Sequence, residues 1–198
     1  MGKYILFFDI CSSSEILEDL NSQDKLEKWK NFIIAVSKII ESKSKEFNAI
    51  NYKFLGDGFI VLLDKEMSDK VIKYCKKISS EVLRLLETLI NEETSIEIKR
   101  KGITMGIEYG SINEINIGET KEYIGRSLNI AARLQGSLKA EEHANKLLIS
   151  KNVKNQICKD YKKEICKETT RSLRNISEDK NFYCYEIDLK ADLESMKK

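Results

Sequence analysis

The sequence predicts an α+β fold in which helices pack against a mainly antiparallel sheet. Short runs of branched and aromatic residues are interleaved with two long segments that have helical spacing. A Gly-Asp-Gly turn joins two of the strand-like runs directly. Hydrophobic residues make up 41% of the 198 residues, which is enough for the core of one domain. This order of elements is typical of a ferredoxin-like sheet with flanking helices and additions.

The elements follow in order along the chain. Residues 3–10 form an apolar run that predicts a buried strand, and Ser12, Ser13 and Ser14 are expected to form a loop. Amphipathic helices are expected at 24–47 and 67–89, with a break at 91–94. A hairpin is expected at 52–63. The remaining elements are predicted as strands at 95–109, 111–118, 146–149 and 182–187, and helices at 127–138 and 151–157. We expect one domain at 1–188 and a charged tail at 189–198.

Composition excludes several classes of function. The net charge of +2 gives no reason to expect a nucleic acid or a membrane as partner. A single histidine, His143, argues against zinc and Ser-His-Asp chemistry. The cysteines are odd in number and scattered, which favours reduced thiols in a cytoplasmic protein; they are Cys11, Cys75, Cys158, Cys166 and Cys184.

Two carboxylates are candidates for a metal site. Asp9 lies near the end of the first predicted strand, and Asp57 occupies the tip of the hairpin. In a ferredoxin-like sheet these two strands can be neighbours, which would bring both carboxylates to one edge. Paired carboxylates on rigid strands suit a hard cation such as Mg²⁺. A Gly-Asp-Gly turn by itself, however, is most often only a turn.

A third candidate feature lies on the predicted helix at 127–138. Asn129 and Arg133 are four positions apart, about one helical turn, and therefore share a face. An amide and a guanidinium on one face can bind an anion. For this pair alone, an ordinary polar stripe on an amphipathic helix would be the commoner explanation.

Four stretches in this order also match a known pattern. They are Phe-Phe-Asp-Ile at 7–10, Lys-Phe-Leu-Gly-Asp-Gly at 53–58, Gly-Ile-Glu-Tyr-Gly at 106–110, and the segment 123–134 that begins Tyr-Ile-Gly and ends Asn-Ile-Ala-Ala-Arg-Leu. Together they resemble the catalytic domain of the class III nucleotidyl cyclases, over about residues 3–188. The combination is far more specific than any one stretch.

The resemblance implies a phosphorus–oxygen lyase that converts a nucleoside triphosphate to a 3′,5′-cyclic nucleotide and pyrophosphate. Asp9, Asp57 and the Ile10 carbonyl would hold two Mg²⁺ or Mn²⁺ ions. Asn129 would orient the ribose, and Arg133 would stabilise charge on the α-phosphate. In this family the two groups come from different chains, which implies a head-to-tail homodimer.

Further positions concern the phosphates. Ser12, Ser13 and Ser14 stand where the family has Gly-Phe-Thr, and their backbone N–H groups could hold phosphate. Arg171 or Arg174 precedes the last strand, where the family places a basic residue that binds polyphosphate. Of the two, we favour Arg174 as the phosphate-binding residue.

Three residues bear on which base the nucleotide substrate carries. Lys53 and Glu122 occupy the family's base-selecting positions, and Tyr52 is a further candidate contact. Lysine disfavours GTP, whereas glutamate in place of the aspartate of many adenylate cyclases suits a smaller ring. The short stand-alone architecture is similar to that of bacterial pyrimidine cyclases of anti-phage signalling, as are Gly-Asp-Gly-Phe at 56–59 and Tyr-Ile-Gly-Arg at 123–126. The cyclic UMP or cyclic CMP that those enzymes make activates an effector. UTP or CTP is therefore favoured over ATP. An inactive dimerisation module is another alternative, whereas a diguanylate cyclase lacks support because its hairpin signature is absent.

Overall fold

The computed structural model describes residues 2–138, 143–157, 167–177 and 182–190. The strands are β1 (Gly2–Ile10), β2 (Ile50–Phe54), β3 (Gly58–Asp64), β4 (Ile103–Ser111), β5 (Asn113–Ile117), β6 (Thr120–Ile124), β7 (Lys146–Ser150), β8 (Lys167–Arg171) and β9 (Phe182–Asp188). The helices are α1 (Ser13–Ser22), α2 (Leu26–Glu46), α3 (Val71–Glu93), α4 (Arg126–Gly136) and α5 (Lys151–Gln156), with a 3₁₀ turn at Lys65–Met67. Cys158, Cys166 and most of the predicted tail (191–198) lie outside the described residues.

A seven-stranded sheet forms the centre of the fold, in the order β2-β3-β1-β4-β7-β9-β8. Every neighbouring pair is antiparallel except β4 and β7, which are parallel. β5 and β6 form a separate two-stranded hairpin. The predicted α+β class, with a mainly antiparallel sheet and flanking helices, is therefore confirmed.

The side chains of β1 point alternately to the two faces of the sheet and belong to two different apolar clusters. Tyr4, Leu6 and Phe8 belong to the large core that also contains apolar residues of α2 and α3. Ile5 belongs instead to a smaller cluster with Ala131 of α4. Because successive side chains of a strand point to opposite faces, Asp9 lies on the same face as Ile5, which is the α4 side of the sheet.

A glycine on β4 allows α4 to lie directly on the sheet. A Cβ atom at Gly106 would stand 2.3 Å from the backbone nitrogen of Gln135 and 2.5 Å from the carbonyl oxygen of Ala131. Both distances are shorter than any side chain tolerates, so only glycine allows this approach. The position of α4 relative to β4 is thereby fixed.

Several predicted boundaries were wrong. The loop expected at Ser12–Ser14 is in fact the start of α1, because Ile16 and Leu20, four positions apart, are both fully buried. The break expected at 91–94 does not interrupt α3, which continues to Glu93 and contains no glycine or proline there. The strand expected from residue 95 begins only at Ile103. The strands β6 and β8 were not predicted; both are largely polar.

No helix in the described part of the chain combines the length and the apolar character needed to cross a membrane.

Candidate active site

The two aspartates expected to hold metal lie side by side. The β1–β3 register places Asp9 opposite Gly58, the residue after Asp57. The turn is closed by a hydrogen bond of 2.8 Å from the N–H of Leu55 to the carbonyl of Gly58, and Gly56 has a φ of 95°. Oδ1 of Asp9 lies only 3.2 Å from where a Cβ of Gly58 would stand. Neighbouring strands thus bring both carboxylates to one sheet edge.

Electrostatics at this edge favour a bound cation. The pKa of Asp9 is raised to about 6, first because burial disfavours the charged carboxylate and then because the carboxylate of Asp57 repels it. A hydrogen bond from Gln135 and the charge of Arg100 act in the opposite direction and lower that pKa. A divalent cation would relieve the repulsion between the two carboxylates.

The donor atoms present fit a hard cation such as Mg²⁺ or Mn²⁺ better than a softer ion such as Zn²⁺ or Cu²⁺. The described residues contain no group of three or more His, Cys, Asp or Glu side chains able to hold a metal ion. Asp9 and Asp57 are both carboxylates, and the Ile10 carbonyl follows Asp9 directly at the end of β1. A hard cation held by such oxygen atoms keeps places for water and phosphate oxygens.

Each aspartate has a polar partner that the sequence did not reveal. Nε2 of Gln135 donates a hydrogen bond to Oδ2 of Asp9 at 3.2 Å. The hydroxyl of Ser13 donates to Oδ2 of Asp57. Ser13 was expected to hold phosphate through its backbone N–H, and the structure shows that its side chain contacts a carboxylate. Gln135 was not singled out, although it follows Arg133 by two positions.

The backbone around the serines still presents donors. Ile16 donates its N–H to the carbonyl of Ser12 at 2.9 Å, which is the first helical hydrogen bond of α1. The N–H groups of Ser13, Ser14 and Glu15 precede it, and such groups have no partner within a helix. The start of α1 therefore directs backbone N–H groups to the side where Ser13 meets Asp57.

A cavity of about 440 Å³ contains the residues expected to select the base. Its lining includes Tyr52, Lys53, Glu122, Tyr123 and Asn129. Nζ of Lys53 donates to Oε1 of Glu122 at 2.7 Å, and the Tyr52 hydroxyl donates to Oε2 of the same carboxylate. These hydrogen bonds, that of Lys53 first, lower the pKa of Glu122, so this wall of the cavity carries an ionised and fully engaged carboxylate.

The Tyr52 side chain is itself fixed on two sides. Its hydroxyl accepts a hydrogen bond of 3.1 Å from the N–H of Tyr123. The two rings meet edge to face, with centroids 4.9 Å apart. This packing is favourable for aromatic pairs and holds Tyr52 against the β5–β6 hairpin.

A second cavity, of about 260 Å³, distinguishes the two candidate arginines near the C-terminus. Arg174 lines it together with Arg133. Arg171 is committed elsewhere: its Nη2 lies 3.1 Å from Oε2 of Glu186, and its Nη1 donates to Thr169 at 2.9 Å. Of the two, it is therefore Arg174 that lines a cavity with Arg133.

Asn129 and Arg133 are both exposed and share the outer face of α4. Asn129 lines the first cavity and Arg133 the second, so one helix face links the two. Gln135, two positions after Arg133, is turned about 200° around the helix axis and contacts Asp9. Arg133 thus points away from the aspartates of its own chain.

The chain was compared with known proteins by sequence and by structure. No protein-family model and no curated protein sequence matches it. A structure of the adenylyl cyclase CyaB from P. aeruginosa superposes with a TM-score of 0.71 at 20% identity, over 94% of this chain and 93% of that one. The guanylyl cyclase Cya2 gives 0.73 at 13% identity, over 94% and 91%.

A bacterial light-regulated adenylyl cyclase gives a TM-score of 0.70 at 19% identity, over 96% of this chain and 51% of that one. The present chain therefore spans about half the length of that protein. Identities this low establish the fold alone, and that fold is the one of adenylyl and guanylyl cyclase catalytic domains.

Proposed function

We propose that the chain is a nucleotidyl cyclase, a phosphorus–oxygen lyase that converts a nucleoside triphosphate to a 3′,5′-cyclic nucleotide and pyrophosphate. The observation that carries this proposal is the pairing of Asp9 and Asp57 at one sheet edge, next to the start of α1, where the Ser13 hydroxyl donates to Asp57. The cyclase fold of the structural neighbours supports it.

The active unit would be a head-to-tail homodimer with two sites. Arg133 points away from the aspartates of its own chain, because Gln135 on the opposite side of α4 contacts Asp9. A substrate held at Asp9 and Asp57 would therefore meet Asn129 and Arg133 of a second copy. Each dimer would contain two such composite sites, related by two-fold symmetry.

Each residue then has a distinct task. Asp9, Asp57 and the Ile10 carbonyl hold Mg²⁺ or Mn²⁺, which when bound lowers the pKa of the ribose 3′-hydroxyl and neutralises phosphate charge. The backbone N–H groups of Ser12, Ser13 and Ser14 bind phosphate oxygens.

The second copy completes the site with three side chains and with the base cavity, since its Asn129 lines that cavity together with Lys53 and Glu122. Asn129 orients the ribose, Arg133 stabilises charge developing on the α-phosphate, and Arg174, in the same cavity as Arg133, binds the polyphosphate. Loss of one such preorganised donor typically raises the barrier by about 2.7–4 kcal/mol.

We favour UTP or CTP over ATP as the substrate. The cavity wall is formed by an ionised Glu122 whose oxygens both accept hydrogen bonds, from Lys53 and from Tyr52. The carboxylate of Glu122, longer by one methylene than aspartate, would crowd a two-ring base but could reach the exocyclic amine of cytosine. A cyclic pyrimidine nucleotide would then serve as a second messenger that activates an effector in anti-phage defence. Adenylate cyclase activity is the alternative, because a lysine at position 53 also suits adenine.

A substrate panel tests the proposal. The purified protein would be incubated with each of the four ribonucleoside triphosphates and Mn²⁺, and cyclic products would be identified by mass spectrometry. We expect a cyclic product that disappears in Asp57→Ala and persists in the exposed control Asp69→Ala. Absence of product from every triphosphate would refute the proposed cyclase activity. Retained activity in Asp57→Ala would refute the role of Asp57.

A further inference from the structure

The Gln135 side chain connects α4 to the aspartate edge. Its Nε2 donates two hydrogen bonds, to Oδ2 of Asp9 at 3.2 Å and to Oγ1 of Thr104 at 2.9 Å. Asp9 and Thr104 are partners in the β1–β4 ladder, and Thr104 is 1% exposed. The amide therefore bridges two neighbouring strands with both of its donor hydrogens.

The backbone of Gln135 is as firmly placed as its side chain. The backbone of α4 approaches the sheet closely at Gly106, where a Cβ would stand 2.9 Å from the Cα of Gln135. The amide therefore leaves a backbone that rests directly on β4, two residues along that strand from Thr104. Few rotations of α4 would keep this contact, so the direction from which Asp9 receives its hydrogen bond is set by the fold.

The two oxygens of Asp9 are consequently in different situations. Oδ2 accepts the hydrogen bond from Gln135, whereas Oδ1 lies 3.2 Å from the position of a Cβ on Gly58, next to Asp57. Without the amide, repulsion from Asp57 would favour rotation of the Asp9 carboxylate away from the edge. With it, one oxygen stays directed at the place where a cation would bind.

We propose that Gln135 is a positioning residue that holds Asp9 in its metal-binding orientation. It thereby links the site that contains Asp9 to α4, the helix whose Asn129 and Arg133 complete the second site of the dimer. The inference rests on the proposed function, since it assumes that Asp9 binds a divalent cation. Its consequence is specific to α4: the inner face fixes a carboxylate of one site, while the outer face carries Asn129 and Arg133 for the next. Outer hydrogen-bond partners of metal ligands typically contribute about 10–100-fold to metal affinity or activity.

The test measures Mn²⁺ binding in the absence of nucleotide, by the electron paramagnetic resonance signal of free Mn²⁺. Gln135→Met keeps the length of the side chain and removes the donor, and we expect its Mn²⁺ affinity to fall roughly 10-fold or more. Gln156→Met is the matched control, because Gln156 is exposed on α5. Thermal unfolding of each variant separates lost positioning from lost folding.

Two further variants keep the test decisive if Gln135→Met folds poorly. Gln135→Asn retains the amide but shortens it by one methylene, so it should also lose affinity. Thr104→Val removes only the second acceptor and should weaken Mn²⁺ binding less than either. Suppose that the wild-type protein binds Mn²⁺ and cyclises a triphosphate. If both Gln135 variants then bind Mn²⁺ with an affinity within twofold of wild type, this inference is overturned and the proposed function stands. If the wild-type protein binds no Mn²⁺, the proposed function fails with it.

Discussion

Gln135 and Arg133 lie two positions apart on α4 and point to opposite sides of it. Gln135 contacts Asp9 of its own chain, whereas Arg133 is exposed and lines a cavity with Arg174. A single protomer therefore cannot bring Arg133 to a substrate held at its own Asp9. A site shared between two copies of the chain therefore requires that Gln135 and Arg133 point to opposite sides of α4.

The two arginines near the C-terminus should behave differently when each is replaced by alanine. Arg174→Ala removes a cation that lines the Arg133 cavity, so we expect a raised KM for the triphosphate with little change in thermal stability. Arg171→Ala breaks contacts to Glu186 and Thr169, so we expect a lower melting temperature with the KM unchanged. Steady-state kinetics and thermal unfolding on both variants check this contrast, and the reverse pattern would show that Arg171 is the phosphate-binding residue.

Asp9→Asn should stabilise the metal-free protein while abolishing metal binding. The pKa of Asp9 is raised to about 6 in the folded protein, above its ordinary value of about 4. Ionised Asp9 therefore disfavours the metal-free fold above pH 6, whereas below pH 4 it is protonated in both states and carries no such penalty. Because asparagine stays neutral, the variant should melt higher than wild type at pH 8, and this gain should shrink as the pH falls through 6 to 4.

Mn²⁺ should reverse that order at pH 8. Wild type should gain stability with increasing Mn²⁺ because the ion binds only the folded state, whereas Asp9→Asn should not respond. Melting temperatures measured with and without Mn²⁺ at several pH values check both parts. A variant that melts below wild type at pH 8 without metal would contradict the raised pKa of Asp9, which burial and then repulsion from Asp57 cause.

Tyr52→Phe should weaken discrimination between bases. The hydroxyl of Tyr52 fixes Glu122 and accepts the N–H of Tyr123, and a hydrogen bond to a charged group typically contributes about 1.5–3 kcal/mol. We expect kcat/KM for the preferred pyrimidine triphosphate to fall at least roughly 10-fold, with a smaller change for ATP.

Tyr183→Phe is the control for that variant, because Tyr183 is 62% exposed on β9 and lines neither of the two cavities. Competition between UTP or CTP and ATP in one reaction gives the ratio of kcat/KM values directly. An unchanged ratio in Tyr52→Phe would remove Tyr52 from base selection.

The sequence predicts those parts of the site that depend on local pattern. Asp9 closes an apolar run and Asp57 lies in a glycine turn, so their strands could be identified and their meeting anticipated from sheet topology. Asn129 and Arg133 share a helix face by spacing alone.

The partners of these residues depend on tertiary contacts and could not be anticipated in this way. The contact between Gln135 and Asp9 arises because Gly106 admits α4 to the sheet. The choice between Arg171 and Arg174 depends on Glu186 of the neighbouring strand β9. The contact of the Ser13 side chain with Asp57 could not be anticipated because Ser12–Ser14 was expected to form a loop, whereas Ser13 begins α1, which buries few apolar side chains.

The most direct test of the shared site uses two inactive variants, Asp57→Ala and Arg133→Ala. A mixed dimer has one site that lacks both groups and one site that is intact, since the intact site takes its aspartates from one variant and Arg133 from the other. Equal mixing with subunit exchange should therefore restore about one quarter of wild-type cyclase activity, measured as cyclic nucleotide formed. Heterodimers demonstrated by native mass spectrometry that remain inactive would contradict the account.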